Sequence, residues 1–338
     1  ICPDARNLLL VPENHTRNTF YLQNVVRLAT ITRQAGLNVR IGSLNPEITA
    51  PTELAVPDHA PLLIEPLIRK GGRVGLDGFD PCTILLNNDL SSGIPDILRD
   101  LHEQFLLPPL HAGWAVRRKS NHFAAYDDVV RDFAALLDID PWLINPYFAV
   151  CGEVNFQERT GEECLASNVD ALLAQLRGKY AEYGVTETPY IVVKADAGTY
   201  GMGIMTARDA SDVRGLNRKQ RNKMSVIKEG MEVTEVIMQE GVHSFERIND
   251  GVAEPVVYMV DRHVVGGFYR VHNERGNDGI LNAPGSHFVP LAFEDCCITP
   301  DHQAGLDAAP NRFYVYGVIA RLAALAASLE LERSAPAD

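Results

Sequence analysis

The stretch YIVVKADAGTYGMGIM, Tyr190–Met205, joins an apolar β-branched run to a lysine and then to three glycines within six residues. An apolar run of this length predicts a strand. Glycine permits positive φ and a close approach of the backbone to a ligand. Successive backbone N–H groups in such a turn can bind the oxygens of a phosphate. The stretch therefore predicts a strand, a glycine-rich loop and a second strand, with a phosphate as the candidate ligand.

Two common phosphate-binding loops do not fit this order of residues. A P-loop places its lysine after the glycines, whereas Lys194 comes before them. A dinucleotide-binding loop has the order G-x-G-x-x-G and opens a helix, whereas Gly198, Gly201 and Gly203 give G-x-x-G-x-G. The residues that follow, IMTARDA, indicate another strand. Both interpretations are therefore disfavoured.

A third arrangement does fit. Two antiparallel strands joined by a glycine-rich flap can fold over a triphosphate, with flap amides donating to phosphate oxygens. Lys194, late in the first strand, would then direct a fixed positive charge at the α- and β-phosphates. An ordinary glycine-rich hairpin with a solvated lysine explains the stretch equally well. The stretch alone leaves both interpretations open.

Residues further along the chain favour the nucleotide interpretation. The apolar run VIMQEGV predicts a strand ending in Gln239 and Glu240, which suits an adenine and ribose pocket. Glu254 begins a strand, and Asn282 lies beyond the following hairpin. Hard oxygen ligands of this kind on adjacent strands can hold Mg²⁺. Arg270, between them in sequence, could stabilise charge on a transferring phosphoryl group.

Composition limits the classes of function. The chain has 338 residues, a length typical of about two domains. A net charge of −13 argues against nucleic acid or an anionic membrane as the main partner. The sequence shows no signal peptide and no apolar run of about 18 residues. We expect a cytoplasmic protein with no membrane partner, and a homo-oligomer is compatible with the sequence.

The six cysteines are scattered without a CxxC pair, which favours reduced thiols over a disulfide framework or a zinc site. The adjacent Cys296 and Cys297 fit the end of a buried strand or a redox pair.

The spacing of apolar residues predicts an α/β (α+β) protein with a change of architecture near residue 118. Residues 1–118 read as strand, helix and strand, which favours a parallel sheet. From 119 to 300 we expect helices over 119–188 and then antiparallel strands over 189–300. A C-terminal helix is expected over 301–330 and a disordered tail over 331–338. Ser120 is the expected N-cap of the first helix after the boundary.

These features resemble the ATP-grasp fold and its glutathione-synthetase-like ligases. The phrases LLLVPENHTRN, FDPCTILLNNDLSSGIP, VVKADAGTYGMGIM and LNAPGSHFVPL are similar to the proteobacterial glutamate–cysteine ligase family, over about residues 1–330. The resemblance implies ATP- and Mg²⁺-dependent joining of the L-glutamate γ-carboxylate to the L-cysteine amine through a γ-glutamyl phosphate. That reaction is the first step of glutathione biosynthesis.

The resemblance also implies roles for individual residues. Catalytic roles fall to Arg270 and Lys194, and metal ligation to Glu254 and Asn282. The residues implied in nucleotide binding are Lys119, Lys194, Gly198, Thr199, Tyr200, Gly201, Gly203, Gln239, Glu240 and Val242.

At two positions the residue that matches the family's pattern stays open. His122 competes with Lys119 for the place of the first phosphate lysine, and we prefer Lys119 because phosphate binding needs a permanent charge. The acid that usually stands two residues before the metal asparagine is replaced by Ile280, so a second Mg²⁺ would use Glu274 or Asp278, or be held more weakly.

Substrate contacts are less visible in the sequence. An amino-acid α-carboxylate favours an arginine, and Arg17, Arg40 and either Arg117 or Arg118 are candidates. The basic stretch 214–230 fits a solvated helix or a lid over the triphosphate. Two other functions remain open: an ATP-grasp ligase for a different amino-acid pair, and a non-catalytic nucleotide-binding protein of the same fold.

Overall fold

The computed structural model describes residues 6–14, 17–90, 92–113, 116–198, 203–225, 232–291, 297–305, 307–309 and 311–336. Contacts between residues divide the chain into two compact units, Ile1–Arg117 and Arg118–Asp338. Each unit has hydrophobic clusters of its own. The prediction of a parallel α/β unit followed by antiparallel sheets is confirmed.

The first unit is built on one six-stranded sheet with the order β3-β4-β2-β1-β7-β8. All neighbours are parallel except β3 and β4, which are antiparallel. A separate hairpin pairs β5 with β6. The strands are β1 (Asn7–Pro12), β2 (Asn38–Ser43), β3 (Thr52–Leu54), β4 (Leu62–Pro66), β5 (Ile68–Lys70), β6 (Arg73–Gly75), β7 (Thr83–Asn87) and β8 (Phe105–Leu107).

Strand β1 shows why the first unit begins with a continuous apolar run. Leu8 and Leu10 belong to the cluster that contains helix α1 (Thr19–Gln34), whereas Leu9 and Val11 belong to the cluster on the opposite face. A parallel strand buried on both faces needs apolar residues at consecutive positions. The helix begins at Asn18, whose side chain accepts a hydrogen bond from the Tyr21 backbone N–H.

The second unit contains five helices and two antiparallel sheets among its described residues. Its helices are α2 (Lys119–Leu137), α3 (Glu162–Tyr183), α4 (Ala210–Arg214), α5 (Arg218–Ser225) and α6 (Arg312–Ser334). Its strands are β9 (Phe148–Cys151), β10 (Ile191–Ala195), β11 (Ile204–Ala207), β12 (Val236–Glu240), β13 (Arg247–Ile248), β14 (Gly251–Val260), β15 (His263–His272) and β16 (His287–Pro290).

We call the sheet with the order β11-β10-β12-β9 the flap sheet, because the glycine-rich stretch joins β10 to β11. Helix α3 covers one of its faces, where Leu173 and Leu176 form a single buried cluster with Val193 and Met238. We call the sheet with the order β13-β14-β15-β16 the hairpin sheet. Helix α6 contributes Phe313 to the cluster on one of its faces.

Helix α6 is long and apolar enough to cross a membrane by length and composition alone, which the sequence analysis did not expect. Its packing offers another reason for that composition. Leu322 and Ala326 belong to a cluster with Val129 and Val130 of α2, and Phe313 packs on the hairpin sheet. A helix that packs on two neighbours needs a wide apolar surface.

Three boundaries differ from the prediction. The last helix spans Arg312–Ser334 rather than 301–330, because Asn311 caps its first turn by accepting from the Tyr314 N–H. Residues 331–334, predicted as tail, continue the helix, and Leu, Glu and Arg at 331–333 are good helix formers. The N-cap position of α2 is Arg118, so Ser120 lies inside the first turn.

Candidate active site

The flap sheet has one apolar face and one polar face. Side chains alternate along a strand, so Val193 and Met238 face α3 while Lys194 and Gln239 lie on the opposite face. Lys194 Nζ donates a hydrogen bond of 2.6 Å to Gln239 Oε1. It also lies 5.8 Å from the centroid of the Phe123 ring, which is contributed by α2. The polar face therefore carries a half-buried cation bounded by an amide and an aromatic ring.

Lys119, the first residue of α2, reaches the start of the flap. Its three ammonium N–H groups are shared among four consecutive backbone carbonyl oxygens, those of Ala195 at 2.8 Å, Asp196 at 3.3 Å, Ala197 at 3.2 Å and Gly198 at 3.0 Å. These carbonyls belong to the end of β10 and the segment that enters the glycine-rich loop. Lys119 thus fixes the base of the flap in this conformation.

Asp196 completes the connection between the flap and α2. Its buried carboxylate accepts from the Ser120 N–H at 2.8 Å and from the Ser120 hydroxyl at 2.7 Å. Its carbonyl oxygen accepts from the Lys119 N–H at 3.0 Å. Asp196 therefore supplies the capping oxygens that were predicted to come from Ser120. The only sequence feature that marks Asp196 is an acidic residue directly after a buried strand. Its hydrogen-bond partner Ser120 lies 76 residues away in the chain.

The two lysines lie close enough to affect each other's protonation. Burial lowers the pKa of Lys119 to about 8, and the positive charge of Lys194 is the next largest cause. Burial also lowers the pKa of Lys194. Among the described residues, no carboxylate lies within ion-pair distance of either ammonium. Two partly desolvated cations without a carboxylate partner favour the binding of an anion between them.

The glycines at the two ends of the flap have the expected conformation. Gly198 has a φ of 83° and Gly203 a φ of 62°, both in the region that favours glycine. The predicted phosphate-binding residues Thr199, Tyr200 and Gly201 lie outside the described residues, so their roles stay predictions.

We call residues 239–242, at the end of β12, the hinge. Its predicted nucleotide contacts lie on two different faces of the flap sheet. Glu240 points away from Lys194, because its register partner Ile191 belongs to the α3 cluster. The Glu240 carboxylate accepts from Trp142 Nε1 at 3.0 Å and from the Tyr147 N–H at 3.1 Å. Burial raises the pKa of Glu240. The Glu240 carboxylate therefore has structural partners on the α3 side, and the place of this residue in the nucleotide hinge stays a prediction.

The next residues form a tight turn against Tyr190. A Cβ on Gly241 would lie 2.0 Å from Tyr190 Cε2, so no side chain fits at this position. The Tyr190 hydroxyl donates to the Val242 carbonyl oxygen at 3.1 Å. The Val242 side chain is 67% exposed, which leaves an apolar surface at the end of the hinge.

The hairpin sheet carries the second polar pair. Glu254 and Arg270 are directly opposite each other on β14 and β15 and form an ion pair through Arg270 Nη1. Their neighbours Ala253 and Val271 belong to the cluster with α6, so the pair occupies the other face of the sheet. Arg270 Nε is buried and makes no hydrogen bond to the described residues.

Asn282 was expected on a strand. It lies instead in the loop between β15 and β16, where it is exposed. His272, two residues after Arg270, holds this loop. Its Nε2 must donate to the Pro284 carbonyl oxygen at 3.1 Å, because a carbonyl can only accept, and its Nδ1 accepts from the Glu274 N–H at 3.2 Å. The sequence analysis missed His272 because nothing local marks its partner in the loop.

The donor set fits a magnesium ion that arrives with a nucleotide. The described residues contain no group of three His, Cys, Asp or Glu side chains that could hold a metal. Glu254 and Asn282 would supply oxygen ligands, since Mg²⁺ is commonly held by one or two protein groups together with phosphate oxygens. Of the two alternative ligands, Asp278 is ion-paired with Arg208, whereas the Glu274 side chain is exposed.

Of the candidate substrate arginines, Arg17, Arg40 and Arg117 belong to the first unit, and Arg118 belongs to the second, where it is ion-paired with Glu235. Arg40 is committed to Glu65, with Arg40 Nε donating to Glu65 Oε2 at 2.8 Å and a second bond from Arg40 Nη2. This pairing contradicts a free guanidinium at Arg40. Arg17 is exposed and Arg117 is half-buried. A cavity of about 370 Å³ in the same unit offers Lys70 and Arg73, and Arg73 is paired with Asp80.

His122, the alternative to Lys119, lies in the contact between α2 and α6. Its Nδ1 is 3.1 Å from the buried Glu330 carboxylate, and its ring stacks on Tyr126. In the basic stretch, Arg214 is ion-paired with Glu163, and α5 covers 218–225. Residues 226–230 lie outside the described residues, so a lid and a solvated helix both stay predictions.

Comparisons with known proteins identify the family. The model of the family described as "Glutamate-cysteine ligase" matches residues 1–331. A structure from Methylobacillus flagellatus KT, provisionally assigned as a gamma-glutamylcysteine synthetase, is 67% identical with a TM-score of 0.88, covering 99% of this chain and 79% of that one. No curated protein sequence matches the chain.

Two further structures are much less similar. D-cycloserine synthetase DcsG is 16% identical with a TM-score of 0.42, covering 97% of this chain and 82% of that one. D-alanyl-alanine synthetase A from Vibrio cholerae O1 biovar eltor str. N16961 is 11% identical with a TM-score of 0.39, covering 94% and 81%. These scores are too low to support a functional argument. The family match over nearly the whole chain does support one, and the chain is an enzyme that belongs to the glutamate–cysteine ligase family.

Proposed function

We propose that this enzyme uses ATP and Mg²⁺ to join the L-glutamate γ-carboxylate to the L-cysteine amine through a γ-glutamyl phosphate. The observation that carries the ATP part of the proposal is the pair of partly desolvated lysines at the base of the glycine flap. Burial lowers the pKa of both Lys119 and Lys194. A phosphate chain between them would neutralise their mutual repulsion. The ATP-grasp resemblance supports the same arrangement.

The polar groups on the open faces of the flap sheet and the hairpin sheet have places in this proposal. Lys194 and the flap amides orient the phosphate chain, and Gln239 fixes the Lys194 ammonium by accepting its hydrogen bond at 2.6 Å. Arg270 stabilises charge on the transferring phosphoryl group, which requires its guanidinium to share or leave Glu254. Mg²⁺, held by Glu254, Asn282 and phosphate oxygens, would neutralise phosphate charge.

The chemistry needs two group transfers and no covalent enzyme intermediate. A γ-carboxylate oxygen of glutamate attacks the γ-phosphorus of ATP, and ADP leaves. The cysteine amine then attacks the acyl carbon, the C–N bond forms, and inorganic phosphate leaves while the amine proton passes to solvent. The acyl phosphate must be kept from water, and closure of the flap over it serves that purpose. No cysteine side chain is required in either step.

An ADP-release assay with glutamate, cysteine and Mg²⁺, and with each omitted in turn, tests the proposal. Turnover that needs both amino acids supports it. Turnover that needs a different amino-acid pair would replace it with another carboxylate–amine ligase. Nucleotide binding without turnover would indicate a non-catalytic member of the family, an outcome for which Ile280 in place of an acidic metal ligand is the motivation.

The expected setting of the enzyme also remains a proposal. A net charge of −13 supports small-molecule substrates rather than nucleic acid or an anionic membrane as partners. We propose a cytoplasmic enzyme that can form a homo-oligomer. Fractionation of cells would test the location, and sedimentation of the purified protein would test the oligomeric state.

A further inference from the structure

Two cysteines that the proposed reaction does not use lie side by side in the second unit. Cys151 is the last residue of β9, and Cys164 lies in the first turn of α3. The Cys151 thiol donates to Cys164 Sγ, and the two sulfur atoms are 2.9 Å apart. Both are free thiols. Because a disulfide bond is about 2.05 Å long, the sulfurs need to move together by less than about 1 Å to form one.

The two thiols differ in their exposure. Cys164 is exposed, whereas Cys151 is buried. Asn168 Nδ2 donates to Cys164 Sγ at 3.4 Å, so this sulfur accepts from both Asn168 and Cys151. Burial and the hydrogen bond to Cys164 raise the pKa of Cys151 to about 12. Cys164 is therefore accessible to a reagent in solution, and Cys151 is a protonated thiol directly behind it.

We propose that Cys164 and Cys151 form a thiol–disulfide exchange site that reacts with low-molecular-weight disulfides, with Cys164 as the attacking thiol and Cys151 as the resolving thiol. The site does not depend on the proposed ligase reaction. Exposed thiolates react with disulfides, and a neighbouring thiol converts the mixed disulfide into an intrachain bond.

The exchange balances without a further oxidant. The Cys164 thiolate attacks one sulfur of a disulfide such as cystine, forming a mixed disulfide and releasing one cysteine thiolate. That thiolate takes the proton of Cys151, and the Cys151 sulfur attacks Cys164 Sγ. The Cys151–Cys164 bond forms and a second cysteine leaves. Two protein thiols are oxidised, and one cystine is reduced to two cysteines.

The bond would connect α3 to the end of the flap sheet that carries the flap. Cys151 is opposite Val236 in the register, and Val236 is opposite Ala195, the last residue of β10. The bond closes a short loop between β9 and α3, and a loop of about 15 residues gives a substantial stabilisation in the chain-entropy account. We expect oxidation to raise the Tm of the full chain by about 5 °C.

Incubation of the reduced full-length protein with cystine, followed by intact mass measurement and peptide mapping, tests the site. The wild type should lose two hydrogens and yield one cross-linked peptide pair containing Cys151 and Cys164. Cys151→Ala should retain a cysteinyl adduct on Cys164, because no resolving thiol remains. Cys164→Ala should form neither product at these positions. Circular dichroism melts establish that each variant is folded.

A Cys82→Ala variant is the matched control, since Cys82 is a half-buried thiol in the other unit. It should form the Cys151–Cys164 bond at the wild-type rate. Three results would overturn the proposal: a stable cysteinyl adduct on Cys164 in the wild type, a cross-link that joins other cysteines, or no reaction at either thiol. A bond that forms without raising the Tm would overturn the expected constraint on the flap sheet.

Discussion

The flap sheet and the hairpin sheet hold their functional cations in different ways. Lys194 in the flap sheet is held by an amide oxygen, and Lys119 beside it by backbone carbonyls. Arg270 in the hairpin sheet is held by the carboxylate of Glu254. The lysines therefore keep their net charge available for an anion, whereas the arginine is neutralised until another group competes for Glu254. Under the proposed function, the flap sheet would bind phosphate and the ion pair of the hairpin sheet would respond to it.

The largest expected effect is on Lys194. Lys194→Ala should lower ATP turnover by at least about 1,000-fold, because a preorganised charge at the transferring phosphates is lost. The fold should stay intact, since the change removes a half-buried cation rather than a core side chain. ADP release and a thermal melt on the same sample measure both.

Lys179→Met is the contrasting control for Lys194. Lys179 is ion-paired with Asp140 and Glu182, away from the polar face of the flap sheet. Its loss should reduce thermal stability slightly while turnover stays near the wild-type value. If both lysine variants lost turnover equally, the special position of Lys194 would be wrong.

The second effect concerns Arg270. Arg270→Lys keeps a positive charge but loses the planar guanidinium that can serve Glu254 and a phosphoryl group together. We expect kcat to fall about 100-fold with little change in the dissociation constant of ATP. Steady-state kinetics and calorimetry separate the two quantities. Arg333→Lys, at the ion pair with Asp128 on the helices, should leave both unchanged.

The third effect is a dependence on pH that originates at Lys119, at the start of α2 beside the flap sheet. Lys119 has its pKa lowered to about 8, first by burial and then by Lys194. The protonated form binds phosphate better, so nucleotide affinity should fall about tenfold for each pH unit above 8 through the loss of that charge. Calorimetry with ADP between pH 7 and 9.5 measures how the logarithm of the affinity changes with pH. Lys119→Met should reduce the magnitude of that slope by about one.

The same shift fixes the sign of the effect on stability. The unfolded chain retains the Lys119 proton up to the ordinary value of 10.5, whereas the folded chain releases it near 8. The unfolded state therefore binds more protons between these values, and the Lys119 contribution to the free energy of unfolding rises with pH in that window. Denaturant melts at several pH values compare the free energy of unfolding of the wild type with that of Lys119→Met. An identical dependence in both would contradict the lowered pKa.

The smallest expected effect separates the hinge from the surrounding framework. Gly241→Ala should cost about 1–3 kcal/mol of unfolding free energy, because its Cβ would overlap the Tyr190 ring. Gly178→Ala, inside α3 with no atom within 4 Å of the added Cβ, should instead gain about 0.5–1 kcal/mol. Urea melts of the two variants should therefore shift in opposite directions. A shift in the same direction would show that the hinge can accommodate a side chain.

Local patterns in the sequence were sufficient for the elements of the flap sheet. The apolar run before Lys194 predicted β10, and the run VIMQEGV predicted β12. The chain after Gly203 was predicted as a strand for the same reason, and β11 is antiparallel to β10. These features depend on residues close together in sequence.

Features that depend on distant partners could not be predicted. Asp196 caps a helix that begins 77 residues earlier, and Glu65 occupies Arg40 across two strands. Glu240 was expected in the nucleotide pocket, but a strand pattern does not say which of two buried faces receives the ligand. His272 was missed because its partner is the loop carrying Asn282, whose path no local pattern defines.

The most direct test is a comparison of AMP, ADP and ATP dissociation constants, measured by calorimetry with Mg²⁺ present, in the wild type and in a variant carrying both Lys119→Met and Lys194→Met. The account predicts that wild-type affinity rises with each added phosphate. The variant should bind AMP as well as the wild type does and gain almost nothing from the additional phosphates. An equal gain from AMP to ATP in both proteins would contradict the assignment of the two lysines to the phosphate chain.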